Sequence, residues 1–225
     1  MRCWLLLVAA GLLTLPGTIT PGVAQSKPAA ASPRPAARPT PAAPGRVHLI
    51  PAPDGNEARY RVREQLVDID FPSDAVGRTH NVTGGILLDP DGAIVHDSSR
   101  FVIELTTIAS DRANRDRYVR RNTLETDKYP EVLFVPNAIK GLARVPPPTG
   151  TSTFQLVGDL TVHGVTRPAT WDVTAETDGK GLSGTAVTAF SFADFGMTKP
   201  SVRLLLGVRD TIRLEYDFHL VQGTP

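Results

Sequence analysis

Between residues 156 and 175 the apolar side chains fall on every second position, and one glycine turn splits the run in two. Leu156, Leu160 and Val162 share a row with Gly158; Ala169, Trp171, Val173 and Ala175 make up another. A period of two places each row on one face of an extended strand. His163-Gly164 stands between them, and glycine supplies the positive φ that a tight reversal needs. Two long antiparallel strands, each with one apolar face, must bury those faces together. The rest of the chain has to close around them.

The same period recurs from residue 46 onward. Strands are expected at 60–69, 81–89, 100–106, 131–135, 138–144, 152–162, 168–176, 182–190, 202–207 and 211–221. In the last, Ile212, Leu214, Tyr216, Phe218 and Leu220 alternate with Arg213, Glu215, Asp217 and His219. Pro90-Asp91-Gly92 spells a turn, with proline presetting φ and glycine taking the left-handed position. Residues 72–80 read as a polar loop. Residues 111–127 are the one helical candidate, with Ser110 or Asp111 as cap and Arg120-Arg121 suited to the C-terminal end of the helix dipole. Eight to ten short strands with one helical insertion mean a sandwich or a barrel. Long strands with one apolar and one polar face favour closure, which hides the inner face and removes the edges. The expected fold is all-β: a closed antiparallel β-barrel of about eight strands with one short helical insertion.

Three segments are expected. Residues 1–24 have the form of a secretory signal: Arg2, an apolar run over 4–15 too short to span a bilayer, then small residues before a cut ahead of Gln25. Residues 25–45 are rich in alanine and proline and hold no aliphatic side chain larger than alanine, so they read as a disordered or polyproline-like spacer. The domain proper is 46–225. Four basic residues and no acidic ones precede it, so against a formal net charge of +1 for the whole chain it is neutral to slightly acidic. That argues against nucleic-acid binding by phosphate neutralisation. Cys3 is the only cysteine and falls in the leader, so the mature chain has no disulfide, thiol nucleophile or cysteine-ligated metal.

Several motifs resemble one family. They are Arg115-Asp116, the run KYPEVLF at 128–134, VGDLTVHGVTRP at 157–168 and DFGM at 194–197. Their order and spacing are similar to those of the YceI-like proteins over roughly 60–221. The resemblance implies a periplasmic, lipocalin-like barrel that binds a polyisoprenoid or related lipid. Export would make the protein periplasmic or secreted.

The candidate site is the inner face: Phe101, Ile103, Leu105, Phe134, Phe154, Leu156, Leu160, Trp171, Val173, Phe190, Leu214, Tyr216 and Phe218. An eight-stranded barrel is just wide enough to be filled by these side chains or to hold one slim ligand. Small residues on the same faces, among them Gly158, Ala169, Gly184 and Ala186, leave room along the axis. The ligand expected from the resemblance is an isoprenoid or fatty-acyl chain. Further partners to consider are a membrane surface, a membrane redox protein and a second copy of the chain.

No cofactor is expected. The five histidines, His48, His80, His96, His163 and His219, show no metal-ligand spacing and no neighbouring nucleophile, so neither a metal site nor a catalytic residue is assigned. A hydrolase or isomerase acting on a lipid-like substrate would need a nucleophile–base–orienter set, and no G-x-S-x-G or paired-acid motif is present. His163 is expected to hydrogen bond within its turn. Arg112, Arg115, Asp116, Arg117, Arg120 and Arg121 form a charge cluster, read as a head-group rim or as a solvated helix face with Arg115-Asp116 pinning the loop. Phe192, Phe195 and Met197 are expected to plug or edge one barrel end.

Overall fold

His163 and Gly164 form the reversal that their neighbours require. In the computed structural model, which describes residues 45–67, 70–179, 181–203 and 205–223, they take φ of 51° and 74°. Positive φ at both central positions gives a two-residue hairpin the twist of its flanking strands. The turn joins β7 (Gly150–Val162) to β8 (Val165–Thr177) in unbroken register from Val162↔Val165 to Gly150↔Thr177. Leu160, Val162, Trp171, Val173 and Ala175 are all buried on its inner side. The leader expected over 1–24 and, Gly45 apart, the spacer over 25–45 lie outside the described residues.

Around this hairpin the chain runs as a meander. β1 (Val47–Pro51), β2 (Glu57–Leu66), β3 (Ser73–Thr79), β4 (Val82–Leu88), β5 (Arg100–Glu104) and β6 (Glu131–Lys140) precede it; β9 (Gly181–Ser191) and β10 (Leu205–Gln222) follow. The order β1-β4-β5-β6-β7-β8-β9-β10 closes on itself because β1 also pairs with β10. β2 continues β1 along that same partner, Pro51 facing Leu220 and Glu57 facing Asp217. β3 and β4 pair in turn with β2 and β1. The ten segments therefore make eight staves of a closed antiparallel barrel with one short helix, the expected class.

The break between β1 and β2 has a side-chain substitute for its missing ladder bonds. Buried Asn56 donates from Nδ2 to the carbonyls of Ala52 (2.9 Å) and His219 (3.2 Å). Its Oδ1 accepts from the Tyr216 hydroxyl (2.7 Å) and the His219 amide (3.1 Å). Buried polar groups left unpaired cost free energy, so one asparagine carries the accounting across a stave that would otherwise lose its partner.

Four local expectations are corrected. Residues 72–80 are not a loop: 73–79 form β3, whose inward positions are Ala75, Gly77 and Thr79. They are small because Gly77 faces Tyr60, whose ring lies 2.3 Å from where a Cβ would stand. The strands expected at 131–135 and 138–144 are the single strand β6, bulged between Pro136 and Ala138. Proline offers no N–H to a ladder, so the strand steps past it. Across that bulge sits Gly158, where a Cβ would come within 2.3 Å of the Val135 carbonyl oxygen. The strands expected at 202–207 and 211–221 are likewise one, β10, irregular between Val208 and Ile212. β1, at 47–51, was not expected at all.

The helix is shorter than expected. α1 (Ala113–Tyr118) passes into a π turn over Val119–Thr123 that is closed by the Leu124 amide on the Val119 carbonyl. Ser110 and Asp111 do not cap it; Arg112 holds the cap position without a side-chain bond. Ser110 instead donates from its amide (2.9 Å) and hydroxyl (2.5 Å) to Oδ1 of buried Asp116. The insertion covers the outer edge of β3, where Arg78 and Ala109 exchange backbone hydrogen bonds of 2.8 and 3.0 Å.

Candidate functional site

The inward rows do not fill the barrel. They enclose a main chamber of about 650 Å³ and, beyond it, a smaller one of about 90 Å³. The main chamber lies under the helical insertion. Ala58, Tyr60, Val62, Glu64 and Leu66 of β2 line one wall, and Ile212, Leu214 and Tyr216 of β10 stand beside them. Leu105, Ile108, Tyr118 and Leu124 roof it, and Phe190, Phe192 and Met197 close a third side. The small chamber lies under the loop that carries Leu142, Val145, Pro146 and Pro147.

Of the expected site residues, Leu105, Phe190 and Leu214 line the main chamber alone. Phe101, Phe134, Phe154, Leu156, Val173 and Phe218 line the small one alone. Ile103, Trp171 and Tyr216 line both. Leu160 lines neither: it sits opposite Phe134, is 0% exposed and belongs to the packed wall. The rings hold one another in place. Phe134 and Trp171 meet edge-on at 5.7 Å, Phe101 and Tyr216 at 6.2 Å, and Phe190 and Phe195 at 4.5 Å. Such pairs add to the stabilisation that burial alone gives. Phe195 is thus a wedge behind Phe190, while Phe192 and Met197 face the chamber.

The β2 wall was missed by sequence reasoning. Its inward row has period two, but Glu64 interrupts the apolar pattern and Tyr60 opens it. Glu64 is buried, and Arg115 of α1 reaches it at 2.5 Å from Nη2 while also pairing with Asp111 at 2.5 Å. Burial works against the Arg115 charge, but the facing Glu64 and Asp111 outweigh it and raise its pKa. Burial pushes the Tyr60 phenol up to about 12. Arg112 and Arg115 of the expected cluster line the chamber. Arg117 and Arg121 are exposed, and Arg120 donates to the Ile108 carbonyl at 2.9 Å.

Two other polar groups pair with charged neighbours. His163 does not bond within its own turn; its Nε2 lies 2.7 Å from Glu125, and its ring packs on Tyr129 at 4.5 Å. It latches the β7–β8 tip to the insertion. On the outer face, Glu215 receives Arg59 (2.5 Å), Arg213 (2.8 Å) and Arg61 (3.4 Å). Burial would raise its pKa, yet these three guanidinium groups hold the carboxyl at about 2.

The mouth end carries exposed apolar residues. Val67 and Phe71 flank the β2–β3 reversal, and Val202 and Leu206 flank the start of β10; Phe71 is 78% exposed. Leu66 pairs with Leu205, so both segments lie at the same end of the barrel, and Leu66, Val202 and Leu205 line the main chamber.

A closed up-and-down barrel around an apolar chamber, roofed by one helical insertion, is the class of protein that these features define. The YceI-like domain matches residues 53–220, and the chain belongs to that family. A UPF0312 protein of Pseudomonas putida strain GB-1 is 31% identical over 168 residues, which cover 68% of this chain and 83% of that protein. A Saccharophagus degradans structure, described as a polyisoprenoid binding domain, has a TM-score of 0.60 at 14% identity, covering 79% of this chain and 99% of its own. Burkholderia cenocepacia BcnA gives 0.55 at 17% identity, covering 75% and 96%. The Campylobacter jejuni YceI protein gives 0.54 at 16%, covering 71% and 91%. At such identities the three structures share the fold.

Proposed function

We propose that this chain is an exported carrier that takes the hydrocarbon chain of an isoprenoid or fatty-acyl lipid into its barrel. The observation that carries the reading is the main chamber: about 650 Å³, walled almost wholly by apolar side chains and opening beside an exposed apolar lip. That volume falls within the range of small-molecule sites, which are concave, largely apolar and fitted with few polar groups. Burying a methylene is worth about 0.8 kcal/mol, so a long chain gains enough to offset association and ordering costs. Membership of the YceI-like family and the polyisoprenoid-binding description of the Saccharophagus neighbour support the ligand class.

The head group sits at the mouth, near Arg112, Asn114 and Arg115. Val67, Phe71, Val202 and Leu206, with Lys199 and Arg203 exposed nearby, suit contact with an anionic membrane surface where the chain is loaded. Residues 1–24 act as the leader that delivers the protein to the periplasm or the medium. On this reading the protein binds rather than catalyses, and His163, held by Glu125 and Tyr129, serves to latch the insertion. Native mass spectrometry of protein purified from its own envelope tests the proposal. A retained lipid of defined mass is expected; protein that stays empty, and takes up no added lipid, refutes it.

A further inference from the structure

Three residues belong to both chambers: Ile103, Trp171 and Tyr216. They come from β5, β8 and β10, well separated around the ring, so they converge on the barrel axis from different sides. They stand at the boundary between the main chamber and the small one. All three are held by neighbours. The Tyr216 hydroxyl donates to Asn56 at 2.7 Å, and its ring is flanked by Phe101 and Phe218 at 6.2 and 5.9 Å. Trp171 leans edge-on to Phe134 at 5.7 Å. Among the described residues its buried indole N–H has no hydrogen-bond partner, so it is packing that fixes the ring.

The two chambers differ in kind. The main one has charged groups at its helical end, including Glu64, Arg112 and Arg115. The small one offers only apolar side chains apart from the two rings it shares, and prolines 146 and 147 lie over it. A ligand with its polar end at the helix therefore sends its hydrocarbon end toward the three shared residues.

We propose that Ile103, Trp171 and Tyr216 form a constriction that measures chain length, with the small chamber as a terminal subsite that only longer chains reach. The proposal rests on the carrier reading above. Trp171 is the specificity-determining residue, as the largest of the three, its ring set by packing against Phe134 rather than by a hydrogen bond.

The test uses the full mature chain with linear fatty acids and prenyl alcohols of increasing length, read by native mass spectrometry and displacement of a fluorescent fatty acid. In the wild type, affinity climbs about fourfold per added methylene until the tail meets the constriction, then flattens until chains are long enough to pass it into the small chamber. Trp171→Phe moves that break to longer chains, and Trp171→Ala moves it further. Adding Ala186→Phe, at a position that lines the small chamber and not the main one, returns the break of Trp171→Ala toward the wild-type length. Far-UV circular dichroism and thermal melting confirm folding. If Trp171→Ala does not fold, Trp171→Phe and Ile103→Ala carry the comparison. A break at one chain length in every variant overturns the constriction, as does an equal loss of affinity at all lengths. Wild-type protein that binds no chain at all overturns the carrier reading, and the constriction falls with it.

Discussion

Arg115 and Glu64 face each other at 2.5 Å with side chains only 14% and 9% exposed, one on the roof helix and the other on the inner face of β2. Replacing Arg115 with methionine leaves a carboxylate on an apolar wall with no cation. Breaking a buried pair from one side costs about 3–5 kcal/mol. The second contact of Arg115, to Asp111, adds little, since that carboxylate is 73% exposed. The expected loss at neutral pH is therefore about 3 kcal/mol, or a fall in Tm of about 6–12 °C for a domain of this size. The double variant Glu64→Leu/Arg115→Met removes both charges and extends the apolar wall. It should recover most of the loss, because two apolar residues replace a buried pair at little or no net cost. Urea unfolding of the four corners of this cycle gives the coupling free energy directly. A single variant that loses less than about 1 kcal/mol, or a double variant as unstable as the single, would refute the claim that this pair pins the roof by desolvated charge.

Other perturbations test other parts of the barrel. Gly158→Ala places a methyl group 2.3 Å from the Val135 carbonyl oxygen and 2.8 Å from the Phe134 ring, so the β6 bulge must shift; a loss of about 1–3 kcal/mol is expected by thermal melting, and an unchanged Tm would show that the bulge yields freely. Glu215 is held at about 2 against an ordinary value of 4.5, so its contribution to stability is complete above pH 4.5 and disappears as the pH falls toward 2. Glu215→Gln should therefore flatten the acid limb of a urea-midpoint profile between pH 5 and pH 2, and an unaltered limb would contradict the pairing. At the mouth, Phe71→Ser/Leu206→Ser should weaken sedimentation with anionic vesicles while leaving Tm within about a degree, because surface changes of this kind rarely alter stability by more than about 0.5 kcal/mol.

Alternation makes the β7–β8 hairpin, the inner row of β10 and the closed all-β class legible in the sequence alone, because those staves set a continuous apolar face against a polar one. The sequence was misleading where one face holds small residues. β3 reads as a loop because Ala75, Gly77 and Thr79 leave room for Tyr60 across the ladder. Pro136 looked like a strand end because its missing N–H is absorbed by a bulge, whose tight partner Gly158 was noticed only as a small residue in an apolar row. The inward rows were legible as a set, but their division between two chambers was not. Which side chains meet across the axis depends on stagger between staves, and a single strand's pattern carries no record of that. The β2 wall was lost for a different reason: Glu64 is inward and charged, and its partner lies 51 residues away on a helix whose apolar face is thin.

The insertion between β5 and β6 does more than roof a chamber. It supplies the backbone partner for β3 at Ala109, on the flank of that strand that β2 does not occupy. Without it, the Arg78 amide and carbonyl would be left free, lengthening a strand edge that the matching flank of another molecule could satisfy. A shortened insertion should therefore announce itself first as self-association, with chains stitched side by side, before the chamber itself is altered.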